Sequence, residues 1–201
     1  MQSLSEIDTT SKRASKAAGF SWGVAEEIGK AIRSLELFGL PGIKNLNLYL
    51  NKIEKSHPEK IMEINKENKS KELCPIYCGL AFLDQIQKIE ILKSIKFYNV
   101  NYPILILPFI SKASEILGKK ILIQFNKSSF LMNFNKSILS QNLEKKVINS
   151  VDEVNIEFLE NNNLFSNKEW QELYKLSEKT FVEETDSLKE KGAGAGLTDN
   201  D

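Results

Sequence analysis

Histidine is nearly absent from this chain. The one present, His57, stands beside Pro58 in a polar stretch, and a single imidazole cannot build a Ser-His-Asp triad, a three-histidine zinc site or an H-E-x-x-H helix. His57 is read as an ordinary exposed side chain. Cysteine is as scarce: Cys74 and Cys78, in C-P-I-Y-C, are too few for a secreted disulfide framework and bring no companion ligands for a structural zinc. They are read as buried small side chains kept as thiols, with a metal site and a nucleophilic thiol as minor readings, and no metal site is expected. Long apolar runs are missing too. The longest, residues 104–110 with Pro103 and Pro108, falls far short of a membrane span, which points to a cytoplasmic protein with no membrane partner. An excess of one charge is also lacking: 27 Lys and Arg face 27 Asp and Glu, so a nucleic-acid surface is not expected. No G-x4-G-K-[ST] loop and no G-x-S-x-G elbow occur. Gly192, Gly194 and Gly196 do not make a dinucleotide fingerprint, because a helical segment precedes them and position 197 is leucine. The cofactor, if any, stays open.

What is present is an ordinary globular composition: 201 residues, 41% apolar, enough for one domain with a real core. The heavy use of Lys, Ile and Asn makes single surface lysines weak functional signals. Residues 1–56 read as helices. Ser3 and Glu6 fit a capping box, and Ala14, Ala17 and Ala18 offer a small-residue face for close packing. Ser21 is a suitable N-cap for a second helix with Val24, Ile28, Ala31, Ile32 and Leu35 as its buried stripe. A third helix spans about residues 43–55. Residues 57–72 read as a polar, lysine-rich linker.

Residues 73–182 mix periods. Pro75 opens a helix with Leu80, Leu83 and Ile86 as its stripe, residues 95–100 read as extended, and I-L-I-L at 104–107 is strand-like. Pro108 fits the first turn of a helix carrying Phe109, Ile110, Ala113, Ile116 and Leu117, which Gly118 ends. Strands follow at 121–125, 130–134 and 154–158, the first two as a hairpin through Asn126-Lys-Ser128. Ser166 and Glu169 form another capping box, for a helix whose one face carries Trp170, Leu173, Tyr174, Ser177 and Phe181. Residues 183–201 are an acidic, glycine-rich tail. The expectation is a single α+β domain in which an N-terminal helical part packs on a small, largely antiparallel sheet, followed by a C-terminal helix and the tail.

Two stretches carry candidate chemistry. In G-F-S-W-G-V-A-E-E-I-G-K-A-I-R, residues 19–33, Trp22 and Gly23 sit in the first turn of a helix whose free amides favour an anion, Gly23 allows close approach, and Lys30 and Arg33 follow. Glu26 and Glu27 are the acid–base candidates, provided burial or a neighbour lifts a carboxyl towards neutrality. The competing reading is structural: a core tryptophan and an i,i+4 ion pair between Glu26 and Lys30. The tail adds Asp199, Asn200 and Asp201 as ligand-binding candidates, against the reading of a frayed end.

The segment S-W-G-V-A-E-E-I-G at 21–29 and the ending G-A-G-A-G-L-T-D-N-D at 192–201 resemble an uncharacterised bacterial family, domain-of-unknown-function family 3726, and Leu73-Cys-Pro75 and residues 103–109 look similar as well. The resemblance departs in the lysine- and asparagine-rich stretches. It brings no activity with it, but it implies that the tail docks rather than frays, with Asp199 to Asp201 against donors such as Lys30, Arg33 or the Trp22-Gly23 helix start. Two functions stay open. One is a small-molecule enzyme or enzyme subunit whose cleft lies where the N-terminal helices meet the sheet, with Glu26 or Glu27 as acid or base. The other is a non-catalytic accessory or ligand-binding protein whose acidic tail docks on a partner. The partner is a small molecule or a protein, and a homo-oligomer is open.

Overall fold

The computed structural model describes residues 2–53, 60–61, 63–135, 137–143, 147–160 and 162–181. The chain divides into two compact units, Met1–Asn161 and Asn162–Asp201. His57 and the whole tail of residues 183–201 lie outside the described residues.

Helix α1, Leu4–Ala17, starts where the capping box requires: the Ser3 amide donates to Glu6 Oε2 at 2.7 Å and the Glu6 amide to Ser3 Oγ at 3.2 Å. Helix α2, Trp22–Leu37, is capped by Ser21, whose Oγ accepts from the Val24 amide at 3.4 Å, and it buries Ala25, Ile28, Ala31, Ile32 and Leu35 at helical spacing. Helix α3, Gly42–Ile53, adds Leu46, Tyr49 and Ile53 to the same core. The close packing of α1 on α2 runs through other residues than the expected alanines. Ala14 and Ala17 are exposed, and the buried face of α1 holds Ser11 and Ser15. Its contact point is Gly29 of α2, where an added Cβ would stand 2.8 Å from the Asp8 carbonyl oxygen, so only glycine lets the backbones approach this far.

The sheet follows. Strands β1 (Glu67–Asn68), β2 (Ser94–Asn101), β3 (Lys120–Phe125), β4 (Ser128–Asn133), β5 (Ser137–Gln141) and β6 (Ser150–Leu159) lie in the order β1-β2-β6-β3-β4-β5, antiparallel except for the β1–β2 pair. Helices α4 (Pro75–Asp84), α5 (Ile86–Ile89) and α6 (Leu107–Leu117) accompany it, with α6 against β3, β4 and β5. The N-terminal helices join this α+β architecture through α6, which α2 contacts, and through the turn at Pro103–Ile106, which α3 contacts. At the α4–α6 crossing, a Cβ on Gly79 would run into the Phe109 ring.

Several local expectations need correction. I-L-I-L is no strand: Pro103–Ile106 is a fully buried 3-10 turn running straight into α6. A short continuous apolar run signals burial without fixing the period, and Pro103, with its fixed φ and no amide hydrogen, favours a helical start. The stripe of α4 is Ile76, Cys78, Gly79 and Phe82, while Leu80 and Leu83 are half-buried, because the helix is covered on two sides. Ile116 is exposed. Within residues 57–72, Ile64 and Asn68 are buried and β1 pairs with β2, so this stretch contributes an edge to the sheet. Strand β5 carried no sequence signal, having one buried residue, Ile138.

In the second unit, α7 (Asn167–Glu178) begins at the expected box, with the Ser166 amide donating to Glu169 Oε2 at 2.6 Å and Phe165 stacked on Trp170. No residue of α7 is buried; Trp170, Leu173, Tyr174 and Leu176 are all exposed. The Asn126–Lys127 turn joins β3 to β4 as expected, with Asn126 in the left-handed region at φ 51°.

Candidate functional site: two clefts on either side of α2

Helix α2 presents the candidate residues on an outward face, and the face is split. On one side, α1 and α2 form a polar cleft of about 480 Å³ lined by Asp8, Thr9, Lys12, Arg13, Trp22 and Arg33. On the other, α2 and α6 form a groove of about 380 Å³, with Glu27, Lys30 and Arg33 facing Ser111 and Lys112 over a floor that includes Phe109. Arg33 borders both. Glu26 lies on the ridge between them, 3.6 Å from Lys12 and 3.2 Å from Lys30.

Trp22 is not a core residue. It is 58% exposed in the first turn of α2, and Lys16 Nζ sits 5.6 Å from its ring centroid. Exposed indole of this kind is what a recognition surface offers: an apolar face with a donor edge. Arg33 reaches Asp8 at 3.7 Å and Lys12 reaches Glu26 at 3.6 Å, so the cleft's Lys12, Arg13 and Arg33 meet two carboxylates, with Lys16 beside them over the Trp22 ring. Nothing lies within 4 Å of the position of a Cβ on Gly23, so the helix start is open to approach. The Ser21 hydroxyl already occupies the Val24 amide.

The two glutamates are held as carboxylates. The hydrogen bond from Lys30 is the main cause for Glu26, seconded by the charge of Lys12, and its carboxyl is pushed below the ordinary range. For Glu27, partial burial is the largest single influence and acts upward. It is outweighed by the hydrogen bond from Lys30 and the charges of Lys112 and Lys30, so the net direction is again down. Glu27 Oε1 lies 2.8 Å from Lys30 and Oε2 3.4 Å from Lys112. Lys30 is raised in turn, chiefly by its hydrogen bonds to Glu27 and Glu26. Such an ion-paired row holds a surface together. It does not poise a general acid, which needs a carboxyl lifted towards neutrality.

Cys74 and Cys78 are both free and buried. The Cys74 sulfur caps α4 by accepting from the Tyr77 amide at 3.4 Å, and it accepts the Tyr49 hydroxyl at 2.8 Å. Burial pushes both thiols up, away from the thiolate a nucleophile or metal ligand needs. Among the described residues there is no group of three or more His, Cys, Asp or Glu that could hold a metal ion.

Thus Trp22 and Arg33 come together in one cleft, Glu27, Lys30 and Arg33 in the other, and Glu26 and Gly23 line neither. Asp199, Asn200 and Asp201 lie outside the described residues. Sequence reasoning missed Lys12, Arg13 and Lys16, although Ser5, Asp8, Thr9, Lys12, Arg13 and Lys16 recur at helical spacing as one polar stripe of α1. It also missed Lys112, for which no local signal exists.

Fold and site define an α+β protein with a helical N-terminal layer that presents charged clefts. The family model described as protein of unknown function (DUF3726) matches residues 2–74, and over that span the chain resembles the family. The match takes in α1, α2, α3 and the Ser21 to Gly29 segment; residues 103–109 and 192–201 fall outside it. No curated protein and no solved structure matches the chain. Among the described residues no helix is long and apolar enough to cross a membrane.

Proposed function

We propose that the protein is a non-catalytic accessory protein that recognises an acidic protein segment through the α1–α2 cleft, in a cytoplasmic setting where Cys74 and Cys78 stay reduced. The observation that carries this reading is the exposed Trp22 set among Lys12, Arg13, Lys16 and Arg33. Cations and an aromatic face recognise carboxylates and extended backbone together, whereas Glu27, the acid–base candidate that lines the α2–α6 groove, is held below the ordinary carboxyl range. The C-terminal residues Asp199, Asn200 and Asp201, two carboxylates flanking an amide, are the second element of the proposal, a segment of the same acidic chemistry offered to a partner.

A second reading, a small-molecule enzyme or enzyme subunit, has one observation in its favour. The α2–α6 groove has the size of a metabolite site and takes in Glu27 beside Lys30 and Lys112. Glu27 is committed to Lys30 and Lys112, which makes it a residue that positions two lysines ahead of an acid.

The test uses the full chain carrying Trp170→Phe, so that indole fluorescence reports Trp22 alone. A free decapeptide of the sequence of residues 192–201 is titrated at low salt, alongside its counterpart with both aspartates changed to asparagine. The expected result is a saturable change with the acidic peptide only, weakened by salt and by roughly tenfold in Arg13→Glu. No saturable change, or equal responses to the two peptides, overturns the reading.

A further inference from the structure

The two edges of the sheet are treated differently. At one end β1 is only two residues long and is flanked by Lys66, Lys69 and Lys71, the usual protection of an exposed edge. At the other end β5, Ser137-Ile-Leu-Ser-Gln, is five residues long, with no charge and no proline within the strand itself and Lys136 directly before it in the sequence. Leu139, Ser140 and Gln141 are exposed along it.

The open face of the sheet points to the same edge. Leu122 of β3 pairs with Leu131 of β4, and Leu131 pairs with Leu139 of β5, so three leucines form one cross-strand row. The rows on either side are polar: Gln124, Ser129 and Gln141 on one, Asn133 and Ser137 on the other. The leucine row ends at Leu139, which is 53% exposed. An apolar row among polar ones, running out to an uncharged edge, is a surface that another strand would continue.

We propose that two copies of this chain pair through β5, antiparallel about a two-fold axis at Leu139, joining their sheets edge to edge. The sequence of the strand selects a second copy. Leu139 is the central residue of the five, so the two-fold sets Leu139 against its counterpart, Ile138 against Ser140 and Ser137 against Gln141. No charged side chain opposes itself in this register, as it would on a lysine-bearing edge. The leucine rows of the two copies then become one, and the outward amides and carbonyls of both strands find partners. Neither cleft on α2 takes part in this pairing, so it stands or falls separately from the proposed function.

Sedimentation velocity on the full chain across a concentration series tests it. A reversible dimer is expected for the wild type. Leu139→Lys and, separately, Ser140→Pro are expected to raise its dissociation constant by roughly tenfold or more, with circular dichroism reporting whether each variant is folded. Leu139→Cys adds an independent readout: oxidation should give a disulfide-linked dimer on non-reducing gels, while Ile91→Cys, at an exposed site away from β5, should give none. A wild type that stays monomeric at every concentration overturns the proposal. So does a dimer that survives Leu139→Lys in a folded protein, since its interface would lie elsewhere.

Discussion

Helices α2 and α7 begin by the same rule and end in different surroundings. Each is capped by a serine, Ser21 or Ser166, whose side chain accepts from the amide three residues on. Each carries an apolar stripe at helical spacing. In α2, Ile28, Ile32 and Leu35 are fully covered by the core; in α7, Trp170, Leu173 and Tyr174 are all exposed. The lesson is that capping and periodicity specify a helix and the face it offers, while burial of that face depends on what the rest of the chain brings. For α2 that is α1, α3 and α6.

The sharpest way to break this comparison is to truncate one leucine in each helix. Leu35→Ala empties a fully buried site and is expected to cost about 2–5 kcal/mol, read as a shift of the urea midpoint. Leu173→Ala removes an exposed side chain and should stay within about 0.5 kcal/mol. Equal losses at the two positions would mean that the face of α7 is covered in solution.

A smaller effect is expected at Gly29, where burial of α2 is set by a backbone contact. In Gly29→Ala the new methyl would stand 2.6 Å from Asp8 Oδ1 and 2.8 Å from the Asp8 carbonyl oxygen. The carboxylate can swing away, but the carbonyl belongs to α1, so the helix must shift. Such overpacking costs about 1–3 kcal/mol, offset by about 1 kcal/mol of better helix propensity. Because Asp8 also holds Arg33, the substitution should disturb the α1–α2 cleft even where the net stability change is small. Unchanged peptide binding together with unchanged stability would show that the close approach of α1 and α2 is not needed.

How far the sequence disclosed this molecule follows from the reach of each signal. Caps and stops act within four residues, and Ser3, Ser21, Pro75, Gly118 and Ser166 all stand where the local pattern put them. Alternation disclosed β6, and a run rich in β-formers disclosed β3. Contacts between distant residues left no trace: Lys112 meets Glu27 across 85 positions, and Tyr49 reaches Cys74 across 25. Burial of I-L-I-L was legible and its period was not, since a fully covered segment has no polar face to mark one. Of the candidate site, the helix start with Trp22 and the Glu26, Glu27, Lys30 and Arg33 face were legible as α2 residues. Their division between two clefts was not, because α1 supplies one wall and α6 the other.

The smallest expected effect concerns the caps themselves. By local geometry Ser166 is the better placed, since its hydroxyl accepts from the Glu169 amide at 3.2 Å and Glu169 returns the contact to the Ser166 amide. Ser21 accepts from Val24 at 3.4 Å with no such reciprocal partner in the pattern, because position 24 is valine. A count of hydrogen bonds alone would therefore rank Ser166→Ala as the costlier change. The surroundings reverse the order for global unfolding. α2 is part of the cooperative core, so Ser21→Ala should lower the unfolding free energy by about 1 kcal/mol. In α7, which buries no residue, Ser166→Ala should leave the global midpoint in place and instead speed hydrogen exchange of the first-turn amides. If Ser166→Ala moved the global midpoint as far as Ser21→Ala does, α7 would be folding as one with the core, and the contrast between the two helices would fail.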